Sequence, residues 1–129
     1  DYFANALTLK KQRPDWTFFV GPEALLLDAL ALGADGGVNG GANVFPALFA
    51  RIYNCTASGK PTSSDMAQLQ SWQAAYDIGK YPSRHIKTMK CGLSLLTICD
   101  DFMAEPFHRY KAPERAQVAA ILNAILTSS

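Results

Sequence analysis

The sequence predicts an α/β fold with a parallel sheet that presents ligand-binding turns at the carboxyl ends of its strands. An uncharged apolar run ends in a glycine turn at Phe18–Glu23, and a glycine-rich segment, Gly37–Asn43, begins fourteen residues later. Each segment predicts a short buried strand, a tight turn and then a helix. Two successive strand–turn–helix units favour parallel strands, whose ligands lie at their carboxyl ends.

The first unit is preceded by a predicted helix, Tyr2–Gln12, with apolar residues at helical spacing. Trp16–Val20 is aromatic and β-branched without a charge, a pattern typical of a strand buried on both faces. Gly21 allows a sharp turn after this strand. Pro22 then suits the first helical position, and the carboxylate of Glu23 complements the positive end of the helix dipole.

The second unit repeats this order. A leucine-rich helix is predicted over Leu25–Leu32, and Gly33 ends it. Gly36–Asn39 is predicted as the second strand, Gly40-Gly41 as its turn, and Val44–Tyr53 as the following helix.

The rest of the chain is predicted to be helical. A polar loop, Thr56–Ser64, leads to helices over Asp65–Ile78 and Ser83–Thr97. Phe102–Lys111 has no periodicity and is predicted to be irregular, and a last helix opens at Pro113.

Two parallel strands are too few to form a stable sheet, because both faces and both edges need partners. A (β/α)8 barrel needs roughly 250 residues, and this chain has 129. It begins at Asp1 rather than Met, inside a predicted helix. We therefore expect the last part of a (β/α)8 (TIM) barrel, followed by a C-terminal helical segment, within a longer polypeptide.

The composition argues against several classes of function. The net charge is +1 with both signs mixed along the chain, which argues against nucleic acid and membrane partners. No apolar run approaches the roughly 18 residues of a membrane helix, and no signal peptide is visible. Cys55, Cys91 and Cys99 form no CxxC pair, and His85 and His108 match no metal-ligand spacing. We expect a cytoplasmic protein with reduced thiols, no metal and no cofactor.

Several short motifs resemble one known family when their order and spacing are taken together. They are Val20–Glu23, Leu32–Gly37, Asn43–Pro46, Gly59, Gln68–Gln70, Lys87–Leu96 and Asp100–Pro106. The chain resembles, over essentially its whole length, the C-terminal part of the dihydrodipicolinate synthase / N-acetylneuraminate lyase family. This family consists of class I aldolases built on (β/α)8 barrels.

The resemblance implies that the two strands are barrel strands seven and eight. Residues 1–57 would form the last βα units, and residues 58–129 would complete the barrel and form the extra helical domain. Such enzymes form a Schiff base between a strand-six lysine and pyruvate or another 2-keto acid. The lysine, a proton-relaying tyrosine and the carboxylate-binding turn would all lie upstream of Asp1. Members are commonly homotetramers.

None of the lysines of this chain is predicted at a strand end. This agrees with a catalytic lysine that lies outside the chain. A Schiff-base lysine must be neutral at working pH, which requires a desolvated or cationic surrounding. The lysines on or beside predicted polar helix faces are Lys10, Lys11, Lys80, Lys87 and Lys90, and those in predicted loops are Lys60 and Lys111. No catalytic residue is therefore assigned within this chain.

Carried over by position, the substrate-binding residues are Gly21 and Glu23 after strand seven, and Val38, Asn39 and Gly40 after strand eight. Glycines let the backbone approach a ligand, and Glu23 or Asn39 can bind substrate hydroxyls. Two plainer interpretations stay open, namely Glu23 as a helix-cap carboxylate only and Gly40-Gly41 as a turn only.

The motifs depart from the better-known members. Sialate lyases usually carry hydroxyl residues where this chain has Gly40-Gly41, and Pro22 replaces a residue that is often polar or aromatic. Typical dihydrodipicolinate synthases have a more β-branched eighth strand than Gly37–Gly40. We therefore predict an aldolase or dehydratase for a sugar acid or another 2-keto acid, with dihydrodipicolinate synthase as the runner-up. The alternative is a non-catalytic binding or assembly module, which the sequence before Asp1 would distinguish.

Charged residues in the C-terminal half are given structural roles. His85 is predicted on a solvated helix face, and Asp100-Asp101 at a helix end or in a loop. Arg109, Lys111 and Arg115 are predicted as surface charge or a subunit contact.

Overall fold

The computed structural model describes residues 2–59 and 63–128 and has an α/β fold. Its first half alternates helices and short strands: α1 (Tyr2–Gln12), β1 (Phe19–Val20), a 3-10 turn (Glu23–Leu25), α2 (Leu26–Ala31) and β2 (Gly36–Gly37). The two strands pair in parallel, with Phe19 opposite Gly36 and Val20 opposite Gly37. The predicted parallel arrangement is confirmed.

Helices make up most of the second half. They are a 3-10 turn (Gly40–Asn43), α3 (Pro46–Ala57), α4 (Ser63–Ala75), a 3-10 turn (Ile78–Lys80), α5 (Arg84–Leu95) and α6 (Ala112–Thr127). The predicted helices are present with shifted ends. Residues 60–62 of the predicted Thr56–Ser64 loop lie outside the described residues, and α3 extends into its first part.

Both strands are shorter than predicted, and β1 is not buried on both faces. Trp16 is 50% and Phe19 52% exposed, whereas Val20 is 4% exposed. Successive side chains of a strand alternate between its faces. Within the described ranges β1 pairs with one strand, and only the face of Val20 joins the core. The absence of charge in Trp16–Val20 therefore predicted more burial than the single neighbouring strand provides.

One hydrophobic core joins the strand units to the C-terminal helices. Its centre is Trp72 of α4, which is fully buried and packs edge-on against Phe45, with ring centres 5.1 Å apart. In α5, a Cβ added at Gly92 would lie 3.0 Å from the Trp72 ring and 3.4 Å from Val44. The absence of a side chain at Gly92 therefore allows close packing of α5. From α6, Val118 adds a fully buried side chain to the same core.

The prediction that Lys87 lies on a polar helix face is wrong. Lys87 is 3% exposed, and its ammonium lies 3.5 Å from the centre of the Tyr81 ring and 5.5 Å from that of Tyr110. Burial lowers the pKa of Lys87, and the Glu114 carboxylate partly opposes this effect. An aliphatic stem and two aromatic faces accommodate a cation that the helical pattern alone places in water.

Arg115, predicted as surface charge or a subunit contact, has an ion-pair partner within the chain. Arg115 of α6 forms an ion pair of 2.7 Å with Asp101, whose side chain is 7% exposed. Arg109 contacts both Asp101, at 3.2 Å, and the exposed Asp100, at 3.1 Å. Asp101 therefore joins the irregular segment before α6 to that helix, in agreement with its predicted loop position.

Candidate substrate cleft

A cleft of about 530 Å³ opens where the turns after β1 and β2 meet the C-terminal helices. The turns contribute glycines and a carboxylate, and α4 and α5 contribute polar and aromatic side chains. The lining residues are Gly21, Pro22, Glu23, Ala24, Gly40, Gln73, Tyr76, Asp77, Arg84, His85 and Met89.

Glu23 is held in one orientation by two donors. Its Oε1 accepts hydrogen bonds from the backbone N–H of Gly41, at 2.5 Å, and from the hydroxyl of Tyr76, at 2.8 Å. Its Oε2 is buried and has no hydrogen-bond partner among the described residues. Glu23 is thus more than a helix cap, because it connects the turn after β1 to the turn after β2 and to Tyr76, which directly follows α4.

Tyr76 links this carboxylate to the core. Its hydroxyl accepts a hydrogen bond of 2.8 Å from the indole N–H of Trp72 and donates to Glu23. Burial raises the pKa of Tyr76, and the negative charge of Glu23 and the hydrogen bond to it raise it further. The phenol therefore keeps its proton at neutral pH and acts as a donor to the carboxylate.

Side chains pack closely against Gly40 and Gly41. A Cβ at Gly40 would lie 2.5 Å from the Met89 sulfur, and one at Gly41 would lie 2.7 Å from Oε1 of Glu23. These distances are shorter than a real Cβ contact allows. The two glycines therefore form the turn, and Gly41 is also the place where the Glu23 carboxylate packs.

The structure brings together three of the five predicted substrate-binding residues. Gly21, Glu23 and Gly40 line the cleft. Asn39 is buried beside it, and its amide donates to the carbonyl oxygens of Gly21, at 2.8 Å, and Val20, at 3.4 Å. Val38 is 74% exposed and lies outside the lining.

Sequence reasoning missed the polar residues that α4 and α5 contribute. The side-chain nitrogen of Gln73 is buried without a hydrogen-bond partner in the part of the chain that the structure describes. Arg84 approaches the exposed Asp77 carboxylate at 3.6 Å, and the exposed His85 ring contacts Tyr76 edge-on, with centres 4.7 Å apart. No local signal in the sequence marks Gln73 or Arg84, because both are ordinary polar residues on helices.

The sequence profile of the dihydrodipicolinate synthetase family matches residues 2–125. The chain belongs to this family. Its structure is similar to that of dihydrodipicolinate synthase from the commensal bacterium Bacteroides thetaiotaomicron, with a TM-score of 0.84 and 38% sequence identity. It shares its fold with YagE from E. coli K12, a prophage protein of the dihydrodipicolinic acid synthase family solved in complex with pyruvate. That match has a TM-score of 0.79 and 20% identity. No curated protein sequence matches the chain significantly.

The chain spans less than half of the length of these family members. The match with the Bacteroides enzyme covers 95% of this chain and 42% of that one. The match with YagE covers 92% of this chain and 40% of that one. The predicted resemblance to the family is confirmed, as is an α/β fold that matches part of its members.

Among residues 2–59 and 63–128, no three His, Cys, Asp or Glu side chains are grouped as metal ligands. None of the described helices is both long and apolar enough to span a membrane.

Proposed function

We propose that this chain is the C-terminal part of a family lyase that acts on pyruvate or another 2-keto acid through a lysine Schiff base. In this proposal β1 and β2 are barrel strands seven and eight. Residues 1–57 form the last βα units, and residues 58–129 complete the barrel and form the extra helical domain. The family membership and the convergence of Gly21, Glu23 and Gly40 in one cleft support it.

The proposed chemistry begins upstream of this chain. A lysine ε-amine condenses with the keto carbon, and water leaves. The resulting iminium accepts the electron pair as a carbon–carbon bond beside it breaks, which gives an enamine; in the reverse direction the enamine donates that pair as the bond forms. This chain supplies walls of the site. The carboxylate of Glu23, which lines the cleft, binds a substrate hydroxyl, while Gly21 and Gly40 let the substrate approach the backbone.

Asn39 and Val38 have different proposed parts in the same site. Asn39 positions the turn after β1, because its amide holds the Gly21 carbonyl at 2.8 Å. Val38, with an exposed side chain, contacts the substrate once the remaining barrel strands enclose it. The complete polypeptide is proposed to form a homo-oligomer, either a tetramer or a dimer.

Two reactions are compared within the proposal. The carboxylate of Glu23 in the cleft favours a hydroxylated 2-keto acid, cleaved or dehydrated. The 38% identity to a structure described as dihydrodipicolinate synthase favours that synthase as the second candidate. Formation of dihydrodipicolinate by the purified protein, or its absence, decides between them.

The experiment that tests the proposal is intact mass spectrometry of the complete polypeptide that contains residues 1–129, treated with pyruvate and borohydride. We expect a mass of about twice the 14.0 kDa of this chain and the gain of one reduced pyruvate. Borohydride without pyruvate is the control. A protein that gains no adduct would contradict the Schiff-base mechanism and would favour a non-catalytic binding or assembly module.

A further inference from the structure

We propose that Met89 of α5 is a specificity-determining residue that limits the size of the ligand beside the turn after β2. The inference rests on the proposed function and extends it. It assigns part of the substrate selection to steric exclusion by a C-terminal helix, in addition to the groups that the two turns supply.

The end of the Met89 side chain lies against Gly40, in the turn after β2. A Cβ added at Gly40 would be 2.5 Å from the Met89 sulfur and 3.0 Å from the Met89 Cε. Both residues line the cleft. The thioether therefore occupies the space that a side chain at position 40 would need, and it forms the wall of the cleft at this point.

The proposed substrate-binding carboxylate borders the same space. A Cβ added at Gly40 would be 3.9 Å from Oε1 of Glu23, and Glu23 also lines the cleft. The thioether of Met89 and the carboxylate of Glu23 thus both lie next to Gly40. A ligand group that contacts Glu23 therefore has the Met89 side chain as a neighbour.

The packing of α5 fixes the base of Met89 and leaves its end adaptable. Gly92 follows three residues later, where a Cβ would lie 3.0 Å from the Trp72 ring and 3.4 Å from Val44. This close approach sets the distance between α5 and the segment that contains Gly40. Methionine is unbranched and flexible, so only its end can yield. The size of residue 89 therefore decides how much room remains in this part of the cleft.

The chemistry of this wall favours selection by size. Gly40 has no side chain, and a thioether is only a weak hydrogen-bond acceptor. A ligand therefore gains no strong hydrogen bond from the Met89 side chain and meets it mainly as excluded volume. Room for one methylene group more or less changes discrimination in an apolar pocket by about tenfold or more.

The test is calorimetric binding of pyruvate and 2-ketohexanoate to the complete polypeptide that contains residues 1–129. The two acids share the keto-acid end, and 2-ketohexanoate is longer by methylene groups alone. We expect Met89→Ala to lower the ratio of the Kd of 2-ketohexanoate to that of pyruvate about tenfold, because the shorter side chain opens room beside Gly40. Met89→Leu nearly conserves the side-chain volume and should keep the ratio of the unmodified protein.

Met66→Ala is the matched control. Met66 of α4 is also a partly buried methionine packed against the core, but it is not among the residues that line the cleft. Its replacement should leave the ratio unchanged. Gly40→Ala adds a methyl group to the space beside Met89 and should raise the ratio, and Met89→Ala in the same protein should reverse that increase.

Three results would overturn the inference. They are an unchanged ratio in a folded Met89→Ala protein, an equal change in Met66→Ala, and the absence of binding of both acids to the unmodified protein.

Borohydride trapping of pyruvate in the same proteins separates this inference from the proposed function. Calorimetry detects binding whether or not a Schiff base forms. A protein that shows the expected change in ratio but traps no pyruvate would refute the Schiff-base mechanism and retain the size limit. A protein that traps pyruvate but keeps its ratio in Met89→Ala would refute the size limit and retain the mechanism.

Discussion

Replacing Tyr76 by Phe should lower the free energy of unfolding by about 2–4 kcal/mol. The change keeps the ring and its packing but removes the hydroxyl. That hydroxyl accepts from Trp72 at 2.8 Å and donates to Glu23 at 2.8 Å. Two hydrogen bonds are therefore lost with one oxygen atom.

The magnitude comes from these two bonds. A hydrogen bond to a charged group contributes about 1.5–3 kcal/mol. The indole N–H of Trp72 would lose its partner in a side chain that is fully buried, which adds about 1–3 kcal/mol. The two terms share the same atom and partly overlap, so their sum is an upper limit.

Urea denaturation followed by tryptophan fluorescence measures this effect. The chain has two tryptophans, of which Trp72 is fully buried and Trp16 is 50% exposed. A Trp16→Phe background therefore leaves Trp72, inside the core, as the one tryptophan among residues 1–129. With a slope of about 2 kcal/mol per molar urea, the midpoint should fall by about 1–2 M. Tyr53→Phe, at a residue that is 45% exposed, is the control and should change stability by less than about 0.5 kcal/mol.

A double-mutant cycle with Glu23→Gln tests the cause. If Tyr76 and Glu23 act through their hydrogen bond, the cycle should give a coupling of about 0.5–3 kcal/mol. Strictly additive effects, or a Tyr76→Phe protein as stable as the Tyr53→Phe control, would refute the reasoning.

Three more predictions concern the same molecule. Gly41→Ala should destabilise it by about 1–3 kcal/mol, measured by urea denaturation, because the new Cβ would lie 2.7 Å from Oε1 of Glu23. In thermal or urea denaturation Asp101→Asn should lower stability by about 1.5–3 kcal/mol, whereas Asp100→Asn, which breaks only an exposed ion pair, should change it by less than about 0.5 kcal/mol. Stability should fall as the pH rises above about 10, because the unfolded chain then releases the Tyr76 proton that the folded protein retains; Tyr76→Phe should flatten this part of the pH–stability curve.

The parallel strand pair was predictable because its signals are local. Glycine and proline mark the turn at Gly21-Pro22, and apolar periodicity marks the helices around it. Strand length is not local, since it depends on which neighbouring strands supply hydrogen bonds. The prediction of Trp16–Val20 therefore gave the right element with too many residues.

The cleft was predictable only in part, for a similar physical reason. Gly21, Glu23 and Gly40 follow predicted strands, so their meeting at one edge follows from the parallel arrangement. Gln73 and Arg84 are ordinary polar residues on helices, and nothing near them in the sequence says that they face a cleft. Lys87 is buried because the fold brings Tyr81 and Tyr110 next to it. The helical pattern of the sequence does not predict these contacts.

The orientation of the Glu23 carboxylate depends on the C-terminal helices. A chain of hydrogen bonds runs from Trp72 in the core through Tyr76 to Oε1 of Glu23, which also accepts from Gly41. Trp72 is fully buried and holds Tyr76 in place. The two oxygens of the Glu23 carboxylate therefore cannot exchange positions without breaking the hydrogen bonds from Tyr76 and Gly41. The orientation of the carboxylate is thus fixed by Trp72 of α4, by Tyr76 directly after that helix and by Gly41, rather than by the turn that carries Glu23. A substitution that loosens α4 should therefore change ligand selection even where it touches no ligand.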